Sequence, residues 1–257
     1  MKAIILSAGQ GRRLLPLTEN TPKCCLPVAH HSMLEWQLNQ IRLCDVDEVV
    51  VVTGFEPGRV EAVVEAFDAK LHGMVVRTLH NPFYARSDNL GTCWIARSEM
   101  STPFFIVNGD TLFEAAILER LLKSRHDYPI TLMTDEKSDY DDDDMKVVTD
   151  MGRLLRVDKQ LDLEFVNGES IGLMAFDHEG ADTFRHKIET LMKNPDGVAR
   201  WYLSAIDELA DEGHVGVCSV NGLSWCEVDD QEDLKHAEAV VASWPDNRVS
   251  VPLVAVT

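Results

Sequence analysis

Residues 2–28 read KAIILSAGQGRRLLPLTENTPKCCLPV, and this stretch decides the fold. The segment Lys2–Ser7 is a short apolar run that stops at a glycine turn, which predicts a buried β-strand. Gly9 and Gly11 follow, and glycines let a backbone approach a phosphate and point N–H groups at it. Arg13 adds a guanidinium suited to bidentate phosphate binding. The stretch predicts an anion-binding loop after a strand, with an ordinary strand-to-helix turn and exposed arginines as the alternative.

The sequence up to residue 134 continues as an alternation of helical spacing and apolar runs. Helices are predicted at residues 33–43, 58–69, 89–100 and 115–123, and strands at 48–53, 74–79, 104–107 and 130–134. This alternation predicts a three-layer, Rossmann-like α/β fold with a mostly parallel central sheet. Such sheets bind ligands beyond the carboxyl ends of their strands, and residues 8–13 and 108–110 fall at two of these ends.

The second half has a different pattern. It contains an acidic run at 139–144, a hairpin at 145–159, strands at 170–176 and 215–220, helices at 180–193 and 200–212, and a last helix from about 230. The acidic run is interpreted as a solvated loop, and the apolar tail at 248–257 as an edge or dimer strand. Neither a linker nor a repeat interrupts the chain, so a single domain over residues 1–257 is expected.

Composition and charge limit the kinds of partner. The net charge of −19 argues against nucleic acid and anionic membranes, and no apolar run approaches the length of a membrane span. The six cysteines have no Cys-x-x-Cys spacing, which favours reduced thiols in a cytoplasmic protein. The first 23 residues are an exception to the acidic composition, because they carry Lys2, Arg12, Arg13 and Lys23 against Glu19 alone. An anion is therefore expected to bind here.

Two aspartates follow predicted strands and are candidates for a metal site. Asp110 ends the segment Asn108-Gly109-Asp110, and Asp229 ends Glu227-Val228-Asp229. Mg²⁺ is a hard ion that takes oxygen ligands, so both carboxylates suit it. The alternative for each is a helix N-cap or a turn residue.

The segment 2–28 resembles the signature of the nucleotidyltransferase superfamily that contains sugar-1-phosphate nucleotidylyltransferases and phosphocholine-type cytidylyltransferases. That pattern is roughly L-A-A-G-x-G-T-R-L-x-P-L-T followed by P-K, and this chain departs from it at Arg12 and Leu15. Residues 108–110 resemble the metal segment of the family, and residues 225–234 resemble its W-x-[E/D]-[I/V]-D-x-x-[E/D]-D-L ending.

The resemblance implies a glycosyltransferase-A-like nucleotidyltransferase fold with a nucleotide-binding half (1–135) and an acceptor-binding half (136–257). It implies a catalytic pair that neutralises phosphate charge, Arg13 and Lys23, and a Mg²⁺ site formed by Asp110 and Asp229. The nucleotide-binding residues that it implies are Leu6, Ala8, Gly9, Gly11 and Asn89.

Residues 81–92, NPFYARSDNLGT, indicate the branch of the superfamily. They resemble cytidylyltransferases acting on phosphocholine, 2-aminoethylphosphonate or inositol phosphate. CTP is therefore the expected donor and a small phosphorylated metabolite the expected acceptor. Residues 145–172 resemble the same group, which implies acceptor contacts by Lys146, Lys159 and Glu169, or by an aspartate from 141–144 in place of Glu169. Solvated loop charges are the alternative.

Several alternatives stay open at this point. One is a sugar-1-phosphate nucleotidyltransferase that uses UTP or dTTP, and another is a nucleotide-binding regulatory subunit without turnover. Trp201, Tyr202 and Trp225 form either a cation–π wall for an ammonium group or part of the core. A homodimer is also left open.

Overall fold

The computed structural model describes residues 1–68, 73–124 and 128–244. Its strands are β1 (Lys2–Ser7), β2 (Pro27–Val28), β3 (His31–Ser32), β4 (Glu48–Thr53), β5 (Val75–His80), β6 (Phe104–Asn108), β7 (Thr111–Phe113), β8 (Ile130–Asp135), β9 (Lys146–Asp150), β10 (Arg153–Asp158), β11 (Gly168–Phe176), β12 (Val215–Ser219) and β13 (Trp225–Glu227). Its helices are α1 (Met33–Arg42), α2 (Pro57–Asp68), α3 (Asn89–Ile95), α4 (Ala115–Ser124), α5 (His178–Leu191), α6 (Tyr202–Asp211) and α7 (Gln231–Ala242). The elements predicted as far as the last helix are confirmed, although the helix predicted at 89–100 finishes as a 3-10 turn, Ala96–Glu99.

The main sheet has nine strands within the described residues, in the order β5-β4-β1-β6-β11-β8-β12-β10-β9. The strands β5, β4, β1 and β6 are mutually parallel, and β12 is parallel to β8. Only β11 and β10 run against the common direction in this sheet. The sheet is therefore mostly parallel in strand direction, as predicted. Its second half is mixed in pairing, because the reversed β11 lies between β6 and β8.

The reversed strand β11 could not be assigned a direction from its sequence. All nine of its residues are buried, and from Ile171 onward they form an apolar run with no alternation. Its C-terminal part pairs with β6, and its first two residues pair with β9 instead. The strands β11, β8, β12, β10 and β9 thus form a closed ring of pairings, and β11 joins this ring to β6.

Helices cover both faces of the sheet, which confirms the three layers. Successive residues of β1 point to opposite faces, and Ile5 packs with α1, α2 and α4 whereas Ile4 packs with α3, α5 and α6. A third apolar cluster joins α1 to α7 and includes Leu14 from the segment after β1. The described part of the chain holds no helix long and apolar enough to cross a bilayer. The tail predicted as a strand, residues 248–257, lies outside the described residues.

Two connections bring distant segments to one edge of the sheet. Leu6 of β1 is in register with Asn108 of β6, so the two strands end side by side. The short antiparallel pair β7–β13 places Glu227 opposite Thr111, and the Val228 amide donates a hydrogen bond to the Asp110 carbonyl at 3.2 Å. These contacts place the predicted metal residues at the end of β1.

Candidate active site

A cavity of about 330 Å³ opens beyond the carboxyl ends of β1 and β6. Sheets of this kind bind ligands at this edge. The segments that line the cavity are the end of β1, the glycine loop, the turn that follows β6 and the segment after β13. Their residues are Leu6, Ser7, Gly9, Gly11, Arg12, Arg13, Lys23, Cys24, Gly109, Asp110 and Asp229.

The glycine loop folds over the side chain of Lys23. Gly11 has a φ of 76°, in the left-handed region, and a Cβ there would lie 2.8 Å from the Cβ of Lys23. Only glycine meets both requirements without strain. The Thr18 hydroxyl donates to the Gly11 carbonyl at 2.8 Å, and the side-chain amide of Gln10 donates to the Thr18 carbonyl at 3.1 Å. The loop is thus fixed by its own hydrogen bonds.

The turn Asn108–Asp110 is held from three directions. The Gly109 amide donates to the Leu6 carbonyl at 3.1 Å, and a Cβ at Gly109 would lie 2.6 Å from that oxygen. The Gln37 amide group donates to the Asn108 carbonyl at 2.7 Å, and the buried Tyr202 hydroxyl donates to the Asn108 side-chain oxygen at 3.1 Å. These contacts from β1, α1 and α6 fix the orientation of Asp110.

Lys23 lies between the two predicted metal ligands, Asp110 and Asp229. Its Nζ is 3.0 Å from Asp110 Oδ2 and 2.6 Å from Asp229 Oδ1, and only 13% of its side chain is exposed. Burial opposes the charged form, but the carboxylates of Asp110 and Asp229 outweigh it and raise the pKa of Lys23 above its ordinary value. The ammonium therefore stays charged and balances two carboxylates that would otherwise repel each other.

Asp110, Asp229 and Glu227 form an acidic triad in which one carboxylate oxygen from each lies within 4.8 Å of the others. Glu227 and Asp229 are two residues apart in an extended segment, so they share a face. Desolvation, together with the charges of Asp110 and Asp229, raises the pKa of Glu227 to about 8, although its side chain reaches solvent. Asp230, not Asp229, caps α7, so the N-cap alternative for Asp229 is excluded.

The acidic triad fits a Mg²⁺ ion on two grounds. All three donors are carboxylate oxygens, the ligand type that Mg²⁺ prefers. The Oδ1 atom of Asp110 is buried without a hydrogen-bond partner within the described residues, and a buried acceptor of this kind is unfavourable unless a ligand meets it. The site can therefore hold a divalent cation beside the glycine loop.

Arg13 lies at the mouth of the cavity and contacts two acidic segments. Its Nη2 is 2.8 Å from Asp229 Oδ2, and its Nη1 is 2.7 Å from Asp143 Oδ2. About half of its side chain is exposed, at 52%. Burial of the guanidinium lowers the pKa of Arg13, but the charges of Asp229 and Asp143 outweigh it and raise the pKa above its ordinary value. The guanidinium is thus positioned to receive a phosphate at the rim.

A second cavity, of about 680 Å³, lies beyond Asp143. Lys159 Nζ is 3.2 Å from Asp143 Oδ1 and 5.0 Å from the ring centroid of Trp201, so one carboxylate joins the two cavities. The wall combines aromatic, acidic, basic and apolar side chains. Its residues are Tyr140, Asp142, Lys146, Asp158, Lys159, Gln160, Leu161, Leu163 and Trp201.

The charged groups of Lys146 and Glu169 have partners within the protein and stabilise the acidic loop. Lys146 is 3% exposed, and its Nζ donates to the carbonyls of Asp141 and, at 2.9 Å, Lys159. Glu169 is also buried and pairs with Lys137 at 3.1 Å. Desolvation raises the pKa of Glu169 to about 7 in spite of Lys137.

The sequence of this chain matches a known protein family. A family model described as the MobA-like NTP transferase domain matches residues 3–215. The chain belongs to this family. The nucleotidyltransferase superfamily predicted from residues 2–28 is thereby confirmed.

Two curated relatives align with almost all of this NTP transferase. The CMP-5′-(3-aminopropyl)phosphonate synthase of Streptomyces rubellomurinus is 28% identical over 254 residues, which cover 93% of this chain and 38% of the relative. The bifunctional IPC transferase and DIPP synthase of Aquifex aeolicus is 26% identical over 238 residues, covering 92% and 50%. The chain thus spans half or less of the length of these relatives.

Solved structures show the same fold for this NTP transferase. The inositol-1-phosphate CTP transferase from T. maritima superposes with a TM-score of 0.76 at 20% identity, covering 94% of this chain and 96% of that one. The CTP:phosphocholine cytidylyltransferase from Streptococcus pneumoniae gives a TM-score of 0.75 at 21% identity, covering 93% and 98%. The predicted nucleotidyltransferase fold is therefore confirmed.

The fold of this NTP transferase places most of the predicted nucleotide-site residues together. Arg13, Lys23, Asp110 and Asp229 meet in the first cavity, which Leu6, Gly9 and Gly11 also line. Two further predicted residues, Ala8 and Asn89, and the basic residue Lys2 do not line this cavity and have other partners. The Ala8 carbonyl accepts from the Phe55 amide, the Asn89 side-chain oxygen accepts from the Tyr202 amide, and Lys2 pairs with Glu48 and Glu99 at the opposite end of β1.

The aromatic wall does not form as a group of three. Tyr202 is fully buried in the core, and the Trp225 indole donates to Asp135 at 2.6 Å. Only Trp201, 39% exposed, lines the second cavity among these three aromatic residues. The core interpretation is thus correct for Tyr202.

Glu227 lies in the site but is not among the residues predicted from the sequence. It completes the acidic triad, and its spacing of two from Asp229 in an extended segment is the signal that could have found it. Asp143 is one of the aspartates at 141–144 that are predicted as alternative acceptor contacts, but its pairing with Arg13 across 130 positions has no local signal.

Replacing Lys146 by Met should lower the free energy of unfolding by about 2 kcal/mol, because the carbonyl groups of Asp141 and Lys159 would lose their charged donor. Urea denaturation followed by circular dichroism measures this change. The exposed Lys193 offers a matched control, and Lys193→Met should leave the unfolding midpoint unchanged. A Lys146→Met protein of normal stability with lost turnover would instead make Lys146 a substrate-binding residue.

Proposed function

We propose that this chain transfers a cytidylyl group from CTP to a small phosphorylated or phosphonate metabolite and releases pyrophosphate. The observation that carries the proposal is the meeting of Arg13, Lys23 and the acidic triad on a glycine loop, with a second cavity beside them. The names of the relatives support CTP, because a CMP-phosphonate synthase aligns over 93% of this chain. The reduced thiols of the chain favour the cytoplasm as its compartment.

The reaction is an in-line displacement at phosphorus. An oxygen of the acceptor phosphate or phosphonate attacks the α-phosphorus of CTP, and the bond from that phosphorus to the pyrophosphate oxygen breaks. The acceptor is already anionic near neutral pH, so no strong general base is required. Catalysis then consists mainly of positioning and charge neutralisation, which Arg13 at the rim and Lys23 at the base of the cavity provide.

Asp110 and Asp229 would hold Mg²⁺, with Glu227 beside them. The ion would supply positive charge to phosphate oxygens. Lys23 contacts the same two carboxylates, so its ammonium balances their charge and lies within the cavity that receives the phosphates. The chain thereby avoids placing a bare acidic cluster before a polyanionic substrate.

The second cavity is the proposed acceptor site. Lys159 offers a charge for the phosphate or phosphonate, and Asp142, Asp158, Tyr140 and Trp201 provide acidic and aromatic surface for the rest of the acceptor. This mixture suits a small acceptor that carries an amine or hydroxyl groups.

CTP should outperform the other nucleotides in a pyrophosphate-release screen with Mg²⁺. The screen combines ATP, GTP, CTP and UTP, with dTTP added, with phosphocholine, 2-aminoethylphosphonate, inositol 1-phosphate and glucose 1-phosphate. Each pairing is repeated with EDTA as the control. Faster release from UTP or dTTP with glucose 1-phosphate would make the chain a sugar-1-phosphate nucleotidyltransferase. Nucleotide binding without release from any pairing would make it a regulatory subunit.

A further inference from the structure

The carboxylate of Asp143 bridges the two cations that face the two cavities. Its Oδ2 is 2.7 Å from Arg13 Nη1 and its Oδ1 is 3.2 Å from Lys159 Nζ. A hydrogen bond from Lys159 and the charge of Arg13 hold the pKa of Asp143 below its ordinary value, so the carboxylate is ionised. One anionic group therefore already satisfies the cations that substrate phosphates need.

The loop that carries Asp143 is anchored at its base. The buried Lys146 ammonium binds the carbonyl of Asp141, and Asp144 pairs with Lys137 at 2.7 Å. The Asp144 carboxylate also accepts the Asp141 amide at 2.7 Å. Asp143 itself is 65% exposed and lies between the anchored residues Asp141 and Asp144. Its side chain can turn away to solvent without breaking any of these anchoring contacts.

A carboxylate held between a guanidinium and an ammonium resembles a phosphate in the same place. Both groups present two or three oxygens to donors that are fixed on either side. Arg13 lines the first cavity and Lys159 lines the second, so the position between them is where an acceptor oxygen would meet the nucleotide.

We propose that Asp143 stands at the anion position that the phosphate or phosphonate group of the acceptor takes, and that the acceptor displaces it. The acidic loop is then an internal competitor, and Arg13 serves the acceptor as well as the nucleotide. This inference rests on the proposed function. A dianionic group satisfies both cations and displaces Asp143, whereas a simple carboxylate such as acetate carries too little charge to compete.

Binding of methylphosphonate to the full chain tests the proposal without any turnover. Calorimetric titration at low ionic strength compares the wild type with Asp143→Asn and with Asp139→Asn. Asp139 lies in the same loop and carries the same charge, but its carboxylate accepts from Ser138 instead. Asp143→Asn should bind methylphosphonate about three- to tenfold more tightly, because two exposed ion pairs no longer compete. Asp139→Asn should match the wild type, and acetate should bind neither the wild type nor Asp139→Asn, because both keep the competing Asp143 carboxylate.

A second variant identifies the site of the gain. Adding Lys159→Ala to Asp143→Asn should abolish the tighter binding, and the fluorescence of Trp201, which lies 5.0 Å from Lys159, should report methylphosphonate binding. Unchanged or weaker binding by Asp143→Asn, or an equal gain in Asp139→Asn, overturns the proposal. If the nucleotide screen fails while Asp143→Asn still gains affinity, the displaced-carboxylate site stands and the cytidylyl-transfer assignment falls.

Discussion

Asp110→Asn and Asp229→Asn should each lower turnover by a factor of about 1000 or more, because each removes a ligand from the proposed Mg²⁺ site. The two residues come from segments joined by the β7–β13 pair, and Asp110 Oδ1 has no partner within the described chain. Metal-dependent CTP binding should weaken in parallel. Melting temperatures should change by only a few degrees, since each variant loses a pair with Lys23 but also relieves carboxylate repulsion. Pyrophosphate release and calorimetry with and without Mg²⁺ measure these effects.

Asp230→Asn is the matched control for the metal variants. It removes the same charge from the neighbouring position, and Asp230 is the N-cap of α7. Asparagine caps helices about as well as aspartate does, so both stability and turnover should remain near those of the wild type. Full activity in EDTA, or a wild-type metal dependence in Asp229→Asn, would show that the acidic triad has only a structural role.

Lys23→Ala and Arg13→Ala should each reduce kcat/KM by a factor of about 100 or more, which corresponds to about 3 kcal/mol of transition-state stabilisation. Their effects on stability should differ. Arg13 is half exposed, so its loss should barely change the melting temperature. Lys23 is buried between carboxylates, and removing one partner of a buried pair is destabilising. Mg²⁺ should restore part of the melting temperature of Lys23→Ala, because it compensates the same carboxylates.

Arg12→Ala is the control for the two basic variants, because it removes the same charge from the same turn. Arg12 lines the cavity but forms no ion pair within the described residues. The superfamily pattern L-A-A-G-x-G-T-R has threonine at this position. Its kcat/KM should fall much less than that of Arg13→Ala. Normal turnover of Lys23→Ala would remove Lys23 from the mechanism.

Much of the nucleotide side of the site could be predicted because its signals are local. The run Lys2–Ser7, the glycines after it and Arg13 lie within a dozen residues, so strand, loop and charge are encoded together. The structure confirms the strand and brings Arg13 and Lys23 to one cavity. Of the four basic residues expected to attract an anion, Lys2 does not reach the cavity, because it lies at the other end of β1 and pairs with Glu48 and Glu99.

The acceptor side could be predicted only in outline, because its contacts join distant segments. Nothing near Asp143 in the sequence indicates Arg13 as its partner. Lys146 resembles any surface lysine until β10, β11 and the acidic loop enclose it. The direction of β11 likewise depends on which strands it meets, since a fully buried strand has no alternation to orient it.

The pairing of β7 with β13 has a consequence for synthesis of the protein. Lys23 and Asp229 are 206 positions apart, and Glu227 and Asp229 follow almost every other element of the described chain. A nascent chain on the ribosome thus exposes the complete glycine loop long before the last two carboxylates emerge. A polypeptide that stops before Trp225 lacks both of them, so premature termination gives a protein that cannot assemble the acidic triad and, by the proposed mechanism, should be inactive.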